Sequence, residues 1–217
     1  MSDVLRELVA TARKLTEIGL VTGAGGNVSL RDDRGMWISP SGFSLADAGA
    51  NDYPCIDVET GESIHAPHRP SSEMLMHLAI YRVRPEVRAV IHTHPKNAIA
   101  LTAAGHDLRA IYPDYHVYLG ANVPHLDYVT VTTPELAAAV EGPFRASDCF
   151  GMILRNHGAI TVGTSVVEAY FRTLAIEEQA TIQWHALQVG EPTYLSQQEC
   201  DKLDRLDSEA YRRELLE

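Results

Sequence analysis

The sequence predicts an α/β domain in which helices pack against a central sheet. Short apolar runs such as residues 87–91 and 150–154 are typical of buried strands. Longer segments such as residues 165–189, in which apolar residues recur every three or four positions, are typical of amphipathic helices. The 217 residues are 45% hydrophobic, which is enough for a single domain over residues 1–217 with a sizeable core.

The helix signals fall in several segments. In chain order, the predicted helices cover residues 2–18, 71–84, 95–104, a segment that begins at residue 133, 165–189 and 196–217. Ser2 caps the first helix and Gly19 ends it. Pro85 closes the second helix, and Thr133 caps the fourth with Pro134 in its first turn. The charged segment 196–217 is expected to cover a surface or to form a tail.

Shorter apolar runs predict the strands. They are the end of the glycine-rich segment 22–30, residues 36–39, 55–58, 87–91 and 129–131, and two strands within residues 150–162. The polar stretch 31–35 forms a hairpin turn between the first two strands, and His157-Gly158 forms the turn between the last two. The rest of residues 44–70 is expected to be loops.

Charge limits the kinds of partner. The formal net charge is −11 and the isoelectric point is about 5.3, whereas a nucleic-acid surface needs clustered lysine and arginine. A small phosphorylated ligand is compatible with this charge, because backbone N–H groups and hydroxyls bind phosphate without a basic patch. We therefore expect a small-molecule substrate and no nucleic acid.

The sequence also indicates a cytoplasmic protein that does not bind membranes. Charged residues occur throughout residues 1–20, so an apolar signal core is absent there. No segment has the apolar length that spans a bilayer. Cys55, Cys149 and Cys200 are too scattered for a disulfide framework or a cysteine metal site, and we expect them to be reduced.

Histidines at the ends of two predicted strands indicate a metal site. His92 and His94 end one strand, and side chains two residues apart in a strand point to the same side. His157 follows another strand and is a third candidate ligand. Three such imidazoles can hold a metal ion with an open coordination position. The other histidines lack this spacing, and His77, one turn after Glu73, is expected on a helix surface.

Three loops carry groups suited to an anion. They are Gly-Gly-Asn at residues 25–27, Ser-Pro-Ser-Gly at residues 39–42 and Pro-Ser-Ser-Glu at residues 70–73. The last lies at a predicted helix start, where free N–H groups favour negative charge. Glu73 adds a carboxylate to that segment, where the helix dipole also favours an ordinary solvated acidic side chain.

Taken together, these motifs resemble the class II aldolase and adducin-head family and are most similar to its fuculose-phosphate aldolase branch. The similarity runs from about residue 2 to residue 190. It implies a three-layer α/β/α fold around a mostly antiparallel, mixed sheet, and a fourfold homotetramer with active sites at subunit interfaces. It also implies a metal-dependent lyase. Such an enzyme cleaves a ketose 1-phosphate, for example fuculose 1-phosphate or a 5-substituted ribulose 1-phosphate, to dihydroxyacetone phosphate and an aldehyde.

The resemblance also implies roles for individual residues. His92, His94 and His157 look like ligands of a divalent metal, with Zn²⁺ expected and Co²⁺ or Mn²⁺ as alternatives. Glu73 looks like the acid/base that also contacts the metal before substrate binds. The residues that look like the phosphate site are Gly26, Asn27, Ser41, Gly42, Ser71 and Ser72.

Two positions depart from the aldolase pattern. Ala24 stands where the aldolase has a threonine, which removes one hydroxyl from the phosphate site. Pro113 stands where the aldolase has a tyrosine that reaches from a neighbouring subunit to the aldehyde-side oxygen. The candidates for that catalytic role are Tyr112, Tyr115 and, in the C-terminal segment, Tyr211.

Other functions of the family are the alternatives. Metal-dependent decarboxylases of phosphorylated sugar acids tend to have a lysine near the second serine of the phosphate site, where this chain has Ser72. Pentulose-phosphate 4-epimerases have an additional aspartate at the metal site. A non-enzymatic module like the adducin head is disfavoured, because adducin heads lack the metal histidines. The sequence therefore favours the aldolase.

Overall fold

An eight-stranded sheet with helices on both faces organises the chain. The computed structural model describes residues 3–215, so the proposed cap Ser2 lies outside the described residues. The strands are β1 (Asn27–Asp32), β2 (Gly35–Ile38), β3 (Cys55–Ile56), β4 (Ser63–His65), β5 (Ala89–Thr93), β6 (His125–Leu126), β7 (Gly151–Leu154) and β8 (Gly158–Gly163). The α-helices are α1 (Asp3–Glu17), α2 (Met74–Val83), α3 (Lys96–Ala103), α4 (Pro113–Leu119), α5 (Pro134–Phe144), α6 (Val166–Val189), α7 (Gln197–Leu203) and α8 (Asp207–Glu214).

The strand order is β4-β3-β2-β1-β5-β8-β7-β6. Each neighbouring pair is antiparallel except β6 and β7, which are parallel. Helices α2 and α5 pack on one face through residues such as Leu78 and Val140. Helices α1, α3, α4 and α6 pack on the other face through residues such as Leu8 and Ile176. The expected three-layer fold around a mixed, mostly antiparallel sheet is confirmed.

The centre of the sheet brings three separate sequence motifs to one end. In the β1–β5 pair, Asn27 lies opposite His92, and in the β5–β8 pair, Thr93 lies opposite Ala159. The turn between β7 and β8 then passes close to β5. A Cβ atom at Gly158 would lie 2.2 Å from the carbonyl oxygen of Thr93, so this close approach requires glycine.

Several predicted elements are confirmed with small shifts of their ends. Helix α5 begins after Thr133, whose side chain accepts a hydrogen bond from the N–H of Leu136, as expected of a cap. Ser165 caps α6 in the same way through the N–H of Glu168. The helix predicted over residues 71–84 begins later, at Met74, so the serines before it lie in a turn.

Other expectations were wrong. Residues 129–131 do not form a strand; β6 occurs earlier, at residues 125–126. Strand β4 lies in the segment 44–70 that was expected to contain one strand, and α4 was not predicted. The C-terminal segment forms two helices rather than one, and α7 packs against α4. Each described helix is too short or too polar to cross a membrane.

Candidate active site

Three imidazoles converge where β5 ends and β7 turns into β8. Nε2 of His92 lies 3.1 Å from Nε2 of His94. The ring centroid of His157 lies 4.7 Å from that of His92 and 5.6 Å from that of His94. One nitrogen from each ring lies within 4.8 Å of the others. The structure therefore brings together the three histidines predicted from the sequence.

A hydrogen bond fixes which nitrogen of His92 faces this cluster. Nδ1 of His92 lies 3.0 Å from the carbonyl oxygen of Ala159 on β8. A carbonyl oxygen only accepts, so Nδ1 carries a proton and Nε2 is the ring nitrogen left to bind a ligand. Nε2 is the atom that faces His94. Such a bond to a backbone carbonyl is typical of metal-binding histidines.

The carboxylate of Glu73 lies against the same cluster. Oε2 is 3.2 Å from Nε2 of His92, and Oε1 is 3.3 Å from Nε2 of His157. Oε2 also accepts a hydrogen bond of 2.9 Å from Nδ2 of Asn27. Oε1 is buried and has no hydrogen-bond partner. A buried carboxylate oxygen that faces an imidazole nitrogen and makes no hydrogen bond of good geometry is suited to contact a cation or a substrate.

Burial and charge set the protonation states of these groups. Burial alone raises the pKa of the Glu73 carboxyl, but the imidazoles of His92 and His157 outweigh it and hold that pKa well below its usual range. Burial, together with the neighbouring His92 and His157, lowers the pKa of His94 to about 4. At neutral pH the cluster therefore offers an ionised carboxylate and a neutral His94 imidazole.

This donor set fits a divalent metal ion. Lone pairs on His92 and His94 and the negative charge of Glu73 converge within a few ångströms, and a cation among them removes their repulsion. Three imidazole nitrogens with one open position are a common ligand set for catalytic Zn²⁺, and Co²⁺ and Mn²⁺ also accept imidazole. The histidine triad can therefore hold a metal ion.

A cavity of about 290 Å³ lies beside the triad. Glu73, His94 and His157 form part of its wall, and His92 is fully buried behind them. The residues expected for phosphate also line it: Gly26, Asn27, Ser41, Gly42, Ser71 and Ser72. None of the described residues that line the cavity is a lysine or an arginine. Any anion here is held by hydroxyl and N–H groups beside the triad.

Backbone pairing holds two of the cavity loops together. The N–H of Ser71 donates to the carbonyl oxygen of Ser39 at 3.0 Å, and the N–H of Ser41 donates to that of Arg69 at 2.9 Å. Oγ of Ser39 accepts from the N–H of Val28 on β1 at 3.2 Å. The loop at residues 39–42 is thus fixed to both the sheet and the segment before α2.

Glycine is required where the loop at residues 25–27 passes β5. Gly26 has a φ of 65°, and a Cβ atom there would lie 2.4 Å from Cγ1 of Val21 and 2.9 Å from the carbonyl oxygen of His92. Gly42 has a φ of 81° but open space where a Cβ would lie. Both backbones favour glycine, whereas only Gly26 is also enclosed by its neighbours.

The three candidate tyrosines lie elsewhere in the chain. The hydroxyl of Tyr112 donates a hydrogen bond of 3.2 Å to Glu178. Tyr115 is 3% exposed in the core, and its hydroxyl has no hydrogen-bond partner. Tyr211 is 61% exposed on α8. Among the residues that the structure describes, no tyrosine lines the cavity of its own chain.

Two residues of the cavity wall were missed. Val131 and Thr132 line the cavity, although residues 129–131 were expected to form a strand. Thr132 has a φ of 67°, which is rare for a β-branched residue. The cap signal at Thr133 and Pro134 marks a turn before α5 and was the available indication of this loop.

A buried histidine behind the carboxylate was also missed. His77 was expected on a helix surface, but it has no exposed surface. Its Nδ1 lies 2.7 Å from Oγ of Ser29, and its Nε2 is hydrogen-bonded to Oδ1 of Asn27. The spacing of one helical turn between Glu73 and His77 was the sequence signal, since it places both side chains on one face of α2.

The fold and the site together define an α/β enzyme with a histidine triad beside a hydroxyl-lined cavity. The family model described as the Class II Aldolase and Adducin N-terminal domain matches residues 6–184. The chain belongs to this class II aldolase and adducin family.

Known members of the family narrow the class further. The chain is 34% identical over 182 residues to an L-fuculose phosphate aldolase of Methanococcus maripaludis, a match that covers 83% of this chain and 96% of that one. It is 35% identical over 200 residues to a 5-methylthioribulose-1-phosphate/5-deoxyribulose-1-phosphate aldolase of Rhodospirillum rubrum, covering 90% and 87%. A solved L-fuculose 1-phosphate aldolase superposes with a TM-score of 0.87 at 29% identity, covering 98% and 97%. The chain is therefore a class II aldolase, a metal-dependent enzyme.

Proposed function

We propose that this aldolase cleaves a ketose 1-phosphate to dihydroxyacetone phosphate and an aldehyde. One observation carries the proposal: a single cavity joins a histidine triad, an ionised carboxylate and a set of hydroxyl and N–H donors. The names of two relatives, which describe action on fuculose phosphate and on 5-substituted ribulose 1-phosphates, support the substrate class.

In this proposal His92, His94 and His157 hold a divalent ion, Zn²⁺ first and Co²⁺ or Mn²⁺ as alternatives. When bound, the ion supplies Lewis-acid stabilisation of the negative charge that develops on substrate oxygens. The protein's part is to present neutral donors, which leave the ion its full charge. The bond from Nδ1 of His92 to Ala159 supports this, because it aims a lone pair at the site.

Glu73 handles the proton at carbon in the same proposal. As the C3–C4 bond breaks, its electron pair remains with the C2–C3 half, and the C4 hydroxyl loses its proton to become the aldehyde. That proton passes to the ionised Glu73 carboxylate, directly or through solvent, and the protonated Glu73 then delivers a proton to C3, so the carboxylate is ionised again at the end of the step. In the reverse direction the ionised carboxylate removes that proton. The unpartnered Oε1 atom beside His157 supports this role.

The phosphate binds among the hydroxyl-bearing, amide and glycine residues that line the same cavity. They are Gly26, Asn27, Ser41, Gly42, Ser71 and Ser72. Hydroxyl and backbone N–H donors suffice for a phosphate, because each charge-assisted hydrogen bond is stronger than a neutral one. Ser72 also favours the aldolase over the decarboxylase, since a lysine is expected near that position in the decarboxylase.

A neighbouring subunit completes the site on the aldehyde side. We place this function in a homotetramer with active sites at subunit interfaces, because the cavity of one chain contains no tyrosine among its described lining residues. Tyr112 at the surface and the exposed Tyr211 are able to reach another chain, whereas the buried Tyr115 is not.

The proposal includes a cytoplasmic location and a small phosphorylated sugar as the partner, with no role for nucleic acid or membrane. The three cysteines are free and buried, which suits a reducing compartment. The net charge of −11 opposes binding to nucleic-acid phosphates.

A direct assay tests the proposed reaction. Metal-loaded protein is incubated separately with ribulose 1-phosphate, fuculose 1-phosphate, 5-deoxyribulose 1-phosphate and 5-methylthioribulose 1-phosphate, and dihydroxyacetone phosphate is measured. We expect release from at least one of them, abolished by a chelator. Release from none, together with CO₂ release from a phosphorylated sugar acid, would establish the decarboxylase instead.

A further inference from the structure

A chain of buried polar side chains runs from the core to Glu73. The hydroxyl of Tyr81 lies 3.0 Å from Oγ of Ser29, which lies 2.7 Å from Nδ1 of His77. Nε2 of His77 is hydrogen-bonded to Oδ1 of Asn27, and Nδ2 of Asn27 donates to Oε2 of Glu73 at 2.9 Å. All five residues are buried.

This series of hydrogen bonds forms because the helical spacing before and within α2 matches the two-residue spacing of β1. Glu73, His77 and Tyr81 are four residues apart along the segment that ends in α2, so they lie on one face. Asn27 and Ser29 are two apart on β1, so they point to one face of the sheet. The two sets of residues therefore alternate along the hydrogen-bonded series. They come from separate parts of the sequence, so no local sequence pattern contains both sets.

The carboxylate of Glu73 fixes the direction of the hydrogen bonds from Asn27 to Ser29, whereas the hydroxyl of Tyr81 also lies 3.3 Å from the carbonyl oxygen of Arg88 as a donor. Oδ1 of Asn27 only accepts, so Nε2 of His77 carries a proton. Burial, followed by the nearby His92, lowers the pKa of His77 to about 3, so the ring is neutral and Nδ1 accepts from Ser29. The hydroxyl of Ser29 is thereby committed as a donor, and its oxygen can accept from Tyr81.

The carboxylate of Glu73, which only accepts, and the N–H of His77 together set which end of the Asn27 amide meets each of them. With Oδ1 accepting from His77, Nδ2 must face Glu73 and donate to it. A reversed amide would place its oxygen against the negative carboxylate and would leave two acceptors facing each other. Oε2 of Glu73 is thus held, while Oε1 is the oxygen without a hydrogen-bond partner.

We propose that His77 is a positioning residue for Glu73. It orients the Asn27 amide, which holds Oε2 and directs Oε1 to the reacting carbon. The inference rests on the proposed role of Glu73 in proton transfer. His77 does not contact the cavity, because it is fully buried and does not form part of the cavity wall.

Two amide substitutions at position 77 test the inference. In His77→Gln the amide nitrogen falls near the position of Nε2 and can still donate to Asn27. In His77→Asn the shorter amide falls near Nδ1 and cannot reach Asn27. Both remove the imidazole and leave a neutral polar group, so they form a matched pair.

The measurements are kcat, KM and metal content of the full-length, metal-loaded protein with the most active ketose 1-phosphate. We expect His77→Asn to lower kcat about 10- to 100-fold, with metal content unchanged and KM within about twofold. His77→Gln should keep kcat within about threefold of the parent. His116→Asn is the control, because His116 is also buried and bonded to another chain segment, through Asp204, but lies outside the site; its kcat should be unchanged.

Several outcomes would overturn the positioning role. Parental kcat in His77→Asn, or equal losses in both variants at position 77, would mean that the donor to Asn27 is not what matters. An equal loss in His116→Asn would assign the effect to general destabilisation. If His77→Asn fails to fold, Ser29→Ala is the deciding variant. It removes the hydrogen-bond partner of Nδ1, so the His77 ring is free to adopt the other tautomer. Parental kcat in Ser29→Ala would overturn the inference.

Glu73→Gln, assayed in parallel, separates this inference from the proposed function. An inactive Glu73→Gln with a fully active His77→Asn would overturn only the role of His77. A fully active Glu73→Gln would overturn the role of Glu73 itself, and the positioning role with it.

Discussion

Nε2 of His92 lies 3.1 Å from Nε2 of His94. His92 belongs to β5, and His94 directly follows that strand. The strand geometry turns both rings to the same side, and the bond from His92 to Ala159 leaves a lone pair facing its neighbour. His157 and Glu73 then complete a cluster of donors from three distant parts of the sequence. The proposed chemistry depends on this cluster.

Replacing Glu73 by glutamine should abolish most turnover without loss of metal. The amide keeps the size of the side chain but cannot carry the proton, so kcat should fall about 10²- to 10⁴-fold. Metal content is measured by elemental analysis, and kcat by release of dihydroxyacetone phosphate. Glu168→Gln is the matched control, since Glu168 is a largely buried carboxylate paired with Arg172 outside the cavity. Parental turnover in Glu73→Gln would exclude this carboxylate as the proton carrier.

Gly26→Ala and Gly42→Ala should differ in their effects. Both substitutions place alanine in a left-handed conformation, at a cost of about 1–2 kcal/mol. Only Gly26→Ala also forces a Cβ against Val21 and the carbonyl of His92. We expect Gly42→Ala mainly to raise KM, and Gly26→Ala to lose both thermal stability and metal affinity. Denaturation curves and metal titration of the two variants check this; equal stability would argue against the enclosure of Gly26.

The stability of the metal-free protein should depend on the protonation of His77. Burial, with a smaller contribution from His92, lowers the pKa of His77 in the folded state to about 3. In the unfolded chain this pKa is about 6.5. The contribution of this residue is therefore complete above about pH 6.5 and is lost as the pH falls towards about 3. Between pH 7 and pH 5 the parent should lose about 2 kcal/mol more than His77→Gln. Urea denaturation at both pH values measures this, and parallel losses would contradict it.

The tyrosines should respond according to their exposure. Tyr115→Phe removes a buried hydroxyl that has no partner, so activity should persist and stability should hold or rise by about 1 kcal/mol. Tyr211→Phe removes an exposed hydroxyl available to a neighbouring subunit, and kcat should fall about tenfold or more if it is the acid on the aldehyde side. The reverse pattern, with Tyr115→Phe inactive and Tyr211→Phe active, would move the aldehyde-side role into the core.

Local sequence patterns predicted much of this architecture because they act over a few residues. The two-residue period of β5 indicated that His92 and His94 share a side, and the cap at Thr133 marked the start of α5. The strands that were missed or misplaced, β4 and β6, have three and two residues. Both strands are defined by pairing rather than by an apolar run: β4 pairs with β3 across a short turn, and β6 pairs with β7, which lies further along the chain.

Those parts of the site that consist of short contiguous motifs were predicted, because such motifs are local in the sequence. Motifs for the triad and the anion loops are contiguous, so each could be recognised without knowing the fold. The burial of His77 depends on Ser29 and Asn27 of another element, and the exposure of Thr132 to the cavity depends on how α5 packs. Neither relationship exists within a short stretch of sequence.

Chelator-treated protein is titrated with Zn²⁺; calorimetry measures how much metal binds, and release of dihydroxyacetone phosphate measures the activity that returns. The parent should bind about one ion per chain, and its activity should return in proportion to the bound ion. His94→Ala should bind far more weakly and stay inactive, because one of three ligands is gone. Full activity without metal, or a His94→Ala variant that binds Zn²⁺ as tightly as the parent, would contradict the account.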